Sequence, residues 1–184
     1  MTASRANQGP RVAQANRRAL IAAARALFSE RGVDVPLVEI GRRAGVGQGS
    51  LYRHFPDRTS IVFAVFEENM TQLEESFSQP GASLRRCGDE VTHLTEGIAA
   101  LLPLVTSSPE DPRLAELESR MRTLLDTLRA HAQDAGRLRA DVTVDDLMTA
   151  VSMVAALMAA TPGHLRHERA THAWDVLSRG LETH

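Results

Sequence analysis

Gln48, Gly49, Ser50, Tyr52, Arg53 and His54 stand almost without interruption, and their chemistry is that of contact with a polyanion. Amide, hydroxyl, phenol, guanidinium and imidazole groups can donate to phosphate oxygens or pair with base edges, and a glycine lets backbone approach closely. Such a set is useful only when presented together on one rigid face. The sequence around it suggests how. Leu37 to Ala44 and Gln48 to Phe55 read as two short helices, joined by the tight turn Gly45-Val46-Gly47 and closed by Pro56. Ile40, Ala44, Val46 and Leu51 are spaced to pack the two helices together and onto a preceding one, with Gly41 and Gly45 supplying close approach and the turn conformation.

That preceding helix is expected from Arg11 to Arg31, with Leu20, Ala24, Leu27 and Phe28 on one face and Gly32 as its stop. Charge supports the reading. Residues 1–60 carry ten arginines against four acids, a net of +6, whereas residues 61–184 carry eleven arginines against nineteen acids, a net of −8. A basic head can meet DNA while the acidic remainder limits indiscriminate sticking.

The run IGRRAGVGQGSLYRHFPDRTSI, Ile40 to Ile61, closely resembles the DNA-binding signature of the TetR family of bacterial regulators, and the resemblance extends over about residues 15–66. It implies that Gln48, Ser50 and Arg53 face base edges, that Gly49 allows close approach, and that Tyr52 and His54 contact phosphate. Arg58 stands where the family usually has a lysine and is expected to bind phosphate through a broader donor fork. Arg17, Arg18, Arg42 and Arg43 are expected to add electrostatic support. Two departures stand out. Pro36 and Leu37 replace the threonine or serine with which the family starts the second helix. Val38 replaces an arginine that reads a base in some members, so base reading is expected of the third helix alone.

The remainder reads as helical. Asp57 caps a helix to about Gln79; others are expected at Ser83 to Val105 (kinked in its last turn or ended by Pro103), Arg113 to Gln133, Val144 to Ala160 and His164 to Glu182. The fold class is therefore all-α, about nine helices: a disordered lead-in at 1–10, a three-helix helix-turn-helix head at 11–56, and a helical bundle body at 57–184 for ligand binding and dimerisation. The helix Val144 to Ala160 is apolar nearly all round, as a helix buried on more than one side would be. The resemblance implies a homodimer built on the last two helices, here with Val151, Val154, Leu157, Met158, Trp174, Leu177 and Leu181 at the interface. A cavity for an apolar, neutral small-molecule effector is expected among His93, Gly97, Ile98, Leu101, Met121, Leu125, Leu128 and Met153.

Other chemistry finds less support. His164 and His167 share a helix face but His172 does not, so no metal site is expected, and no cofactor. Cys87 has no second cysteine with which to form an intrachain disulfide. No apolar run is long enough to span a membrane, and a cytoplasmic protein is expected. No Ser-His-Asp arrangement, phosphate-cradling glycine loop or paired carboxylate points to an enzyme. The reading is a regulator on a near-palindromic operator, released by ligand. Its rivals are a helical ligand-binding or interaction module without DNA binding, and a small helical enzyme.

Overall fold

A computed structural model describes residues 8–32, 34–77, 83–107 and 109–183. Among them are nine α-helices, two 3₁₀ segments and no β-strand. The chain divides into two compact units at Val65/Phe66, inside the fourth helix rather than at Pro56. Residues 1–7 of the expected lead-in lie outside the described residues, and its last three, Gln8 to Pro10, are already helical.

The head contains α1 (Gln8–Arg31), α2 (Leu37–Arg43), α3 (Gln48–His54) and the first turns of α4 (Arg58–Phe77). α1, α2 and α3 pack on one another, and Leu20, Ala24, Leu27, Phe28, Ile40, Leu51 and Phe55 are buried. Gly45 makes the turn with φ +67°, a left-handed conformation that a side chain would strain. Gly41 serves a different need: a Cβ there would come 3.2 Å from both Leu51 Cδ2 and the Val46 carbonyl oxygen, so its lack of side chain sets how closely α2 meets α3. Asp57 caps α4, accepting from the Ser60 amide and hydroxyl at 2.7 Å each.

The body holds α5 (Leu84–Thr95), a 3₁₀ segment (Glu96–Leu101), α6 (Leu102–Thr106), α7 (Pro112–Asp134), α8 (Val144–Ala160), a 3₁₀ turn (Gly163–Leu165) and α9 (Arg166–Leu181). The helix expected across Ser83 to Val105 is thus three pieces. Proline lacks an amide proton and its ring collides with the carbonyl four residues back, so a helix reaching Pro103 is kinked or broken there. The break falls earlier, at Glu96, and Pro103 sits in the first turn of a fresh helix where its missing amide costs nothing. α7 starts at its Asp111 cap and ends in a Schellman turn, Arg137 N to Ala132 O at 2.9 Å and Gly136 N to Gln133 O at 2.9 Å, with Gly136 at φ +66°.

One core joins Leu73, Val91, Leu125, Leu128 and Leu147; a second joins Ala99, Ala150, Val154, Met158, Ala170 and Trp174. α8 enters both, as its continuous apolar surface implies. Trp174 of α9 lies on Gly88 of α5 and donates its indole N–H to Thr92 Oγ1 at 3.0 Å. The chain's end is tied back by Arg139 N to Leu181 O (3.1 Å) and Thr183 N to Arg137 O (3.2 Å).

Candidate nucleic-acid interface

α3 is amphipathic over only two turns. Leu51 faces inward with Phe55 just beyond the helix end, while Gln48, Gly49, Tyr52 and Arg53 are exposed on the outer side. Tyr52, 46% exposed, lies outside the core. Ser50 and His54 are half-buried at the flank toward α1, where Asn16 Nδ2 reaches Ser50 Oγ at 3.4 Å. Arg53 donates from Nε to the Gly49 carbonyl at 3.0 Å, which holds its side chain along the helix with the guanidinium at the surface.

Asn16 escaped sequence reasoning, though a signal existed. It lies one helical turn before Leu20, continuing the stripe through Ala24 and Leu27, so a polar residue there meets whatever packs beyond the apolar face. Arg17 stacks its guanidinium over the Phe55 ring, 5.6 Å from the centroid. Arg18 and Arg42 are exposed, as electrostatic support requires.

Arg43 is paired within the head. Its guanidinium makes a two-pronged pair with Glu30, 2.8 Å on each arm, and Arg31 pairs with Glu39 at 2.6 Å. These pairs tie α2 to the end of α1. Arg58 is also engaged: Nη2 donates to the Val35 carbonyl at 3.1 Å and Asp34 lies 3.9 Å from Nη1, clamping the start of α4 to the loop before α2.

In the body, a cavity of about 630 Å³ opens among Phe66, α6, the first half of α7 and one side of α8. Leu117, Met121, Met148, Val151 and Ala155 give it an apolar wall, interrupted by Thr106, Ser152 and Glu118. Of the residues expected to line a ligand site, it contains Met121 alone. Leu125 and Leu128 share Met121's face of α7 but lie further along, buried in the core with Leu73 and Leu147. Ile98 and Leu101 are fully buried elsewhere, and Gly97 is half-buried in the 3₁₀ segment. His93 is exposed, because the buried face of α5 runs through Cys87, Val91 and Thr92 and leaves position 93 opposite. Met153 is 56% exposed on a third face of α8.

The expected dimer residues divide likewise. Val154, Met158 and Trp174 are buried within the chain; Leu177 and Leu181 pack against the two cores, and Val151 lines the cavity. Leu157 is half-exposed. Periodicity reported how wide the apolar surfaces of α8 and α9 are, but not which part faces outward. Exposed positions away from the cavity include Met153 on α8 and His172 and Val176 on α9.

Comparison with known proteins decides the family. Residues 20–65 match the model of "Bacterial regulatory proteins, tetR family", and residues 84–183, over half the chain, match that of "Transcriptional regulator SbtR-like, C-terminal domain". The chain belongs to the TetR family. An HTH-type transcriptional regulator of Staphylococcus aureus is 34% identical over 65 residues, 35% of each chain. This TetR-family chain thus spans about a third of the length of the curated relatives it matches. Among solved structures, a TetR transcriptional regulator of Streptomyces coelicolor is 26% identical, covering 90% of this chain and 98% of its own, with a TM-score of 0.68. A complex of SmeT with triclosan shares the fold at 21% identity, covering 92% of each chain, with a TM-score of 0.59. The TetR-family assignment carries with it a helix-turn-helix head, which α2 and α3 form in this chain.

Proposed function

We propose that the protein is a homodimeric, ligand-released repressor acting in the cytoplasm on a near-palindromic operator. The outward face of α3 supports this most directly: Gln48, Gly49, Tyr52 and Arg53 are exposed together on a rigidly packed helix. A helix of this size fits the major groove, where Gln48, Ser50 and Arg53 read base edges while Tyr52, His54, Arg58 and Arg18 meet phosphate. One such head makes too few contacts for useful specificity. Two, held about one DNA turn or roughly 34 Å apart, read both halves of a palindrome. The exposed stripe of Met153, Leu157 and Val176 on α8 and α9 is the surface we assign to the dimer.

The cavity beside α6, α7 and α8 is the effector site of this reading, and its mostly apolar wall suits a hydrophobic small molecule; a neighbour of the same fold, SmeT, was solved with triclosan. The effector releases DNA only if it prefers the body conformation that sets the heads at the wrong spacing, a preference transmitted along α4.

Mobility shift on the DNA upstream of the gene, across a salt series, tests the proposal. Tight binding that falls steeply with salt, and that Tyr52→Ala and Arg53→Ala each weaken at least tenfold, is the expected outcome. Salt-insensitive association, or indifference to both substitutions, would remove the DNA-binding reading.

A further inference from the structure

Val38 is 42% exposed on α2 and has no hydrogen-bonding group to account for that position. A single exposed valine is ordinary, so its placement has to carry the argument. Ile40 and Gly41 are the inward residues of α2. Glu39 and Arg43, one turn apart, pair with Arg31 and Glu30 of α1. Val38 and Arg42, also one turn apart, therefore occupy the opposite flank. That flank borders α3, because Gly41, three positions from Val38, is the residue in close contact with Leu51. On α3 the side beyond Leu51 and away from α1 is the stripe of Gln48 and Tyr52, since Ser50 turns toward Asn16. Val38 and the Gln48–Tyr52 stripe thus line the same surface, one from each helix.

We propose that Val38 is a specificity-determining residue that packs its methyl groups on the 5-methyl of a thymine in each operator half-site. The inference rests on the DNA-binding reading above and amends the expectation that base recognition belongs to α3 alone. Thymine presents the only methyl group in the major groove, and apolar side chains read it by contact rather than by hydrogen bonding. Valine suits the task because its branched side chain is stiff at χ1 and loses little freedom on docking. Arg42, beside it on the same flank, supplies a phosphate anchor that a valine cannot.

The test starts from a sequence enriched by the full-length protein from random duplexes. Each thymine is then replaced by deoxyuridine, which removes only the methyl, and dissociation constants are measured for wild type and Val38→Ala. At one thymine per half-site, methyl removal should weaken wild-type binding about fourfold, the equivalent of about 0.8 kcal/mol for one buried methylene-sized group. Val38→Ala should bind the unmodified site more weakly and be indifferent to that methyl, while the effects of other thymines persist. Wild type insensitive to every replacement, or sensitive to the same extent as Val38→Ala, overturns this contact and leaves the regulator reading intact. Failure to enrich any sequence overturns the regulator reading and this contact with it. Wild-type measurements need no variant, and thermal melting checks that Val38→Ala, altered at an exposed position, folds as wild type does.

Discussion

Gly88 has no side chain because Trp174 occupies the space one would need. A Cβ on Gly88 would stand 2.8 Å from Trp174 Cδ2 and 2.9 Å from Cε2, contacts that a rigid indole must relieve by moving as a whole. Moving it breaks the indole bond to Thr92, whose own hydroxyl donates to the Gly88 carbonyl at 2.9 Å. Overpacking of this kind costs roughly 1–3 kcal/mol, against about 1 kcal/mol that alanine returns in helix propensity. Gly88→Ala is expected to lower stability by up to about 2 kcal/mol in urea unfolding and to shift the emission of the chain's one tryptophan; unchanged emission would show that the ring contact is looser than the geometry states. Cys87, next to it, is buried, and burial first, then Glu90, pushes its thiol up to about 12. At pH 8 almost none is thiolate, the form that reacts. It should resist a disulfide reagent in the native state and react rapidly in denaturant, whereas fast native labelling would mean that α5 opens readily.

At the scale of elements, α4 and α7 are held by an ion pair that pH can probe. Arg120 makes bonds of 2.9 and 2.6 Å to the Glu74 carboxylate, and those bonds hold Glu74 below its usual range. A carboxylate whose folded pKa is lowered stabilises the fold above its unfolded value and loses that contribution as pH falls through the folded one. Glu74→Gln should therefore unfold with a flatter acid limb below about pH 4.5, and with a loss at pH 7 of no more than about 1 kcal/mol, since the pair is partly exposed. α8 shows what the sequence discloses about elements and what it does not. Thr143 and Asp146 form a capping box, and Pro162-Gly163 marks its end, so its limits follow from local chemistry that a sequence displays directly. Its three faces do not. Val154 and Met158 go to the core, Val151, Ala155 and Ala156 to the cavity, and Met153 outward, yet all are small or apolar residues whose type is indifferent to what they meet. The same limit hid the 3₁₀ segment at Glu96–Leu101, because α and 3₁₀ windings differ by one residue in hydrogen-bond register and packing chooses between them. The head was legible almost residue by residue, since turn glycines, proline stops and exposed polar groups each have a local cause. The link from Arg43 to Glu30 was not legible, because a pairing between helices decides where a long charged side chain goes.

At the scale of the molecule, the proposed function depends on two heads being held at a fixed separation, and so on the α8 and α9 surface that would hold them. Met153 and Val176 are more than half exposed in the single chain, so each can be changed without disturbing its core. Burying an apolar side chain of this size in an interface is worth roughly 1.5–3 kcal/mol, and a glutamate in its place adds the cost of desolvating a carboxylate facing its symmetry mate. Met153→Glu combined with Val176→Glu should therefore convert a species of twice the chain mass, by light scattering, to one of the chain mass. Thermal unfolding of the separated chain should remain a single cooperative transition. Operator binding then changes in a specific way. A dimer attaches its second head as an intramolecular event, which raises affinity by about 10²–10⁴ over one head alone. The double variant should lose that factor on the full palindrome while binding an isolated half-site as wild type does. Loss on both DNAs would mean that the substitutions reach the head, and a dimer of unchanged mass would place the partner on another face of the body.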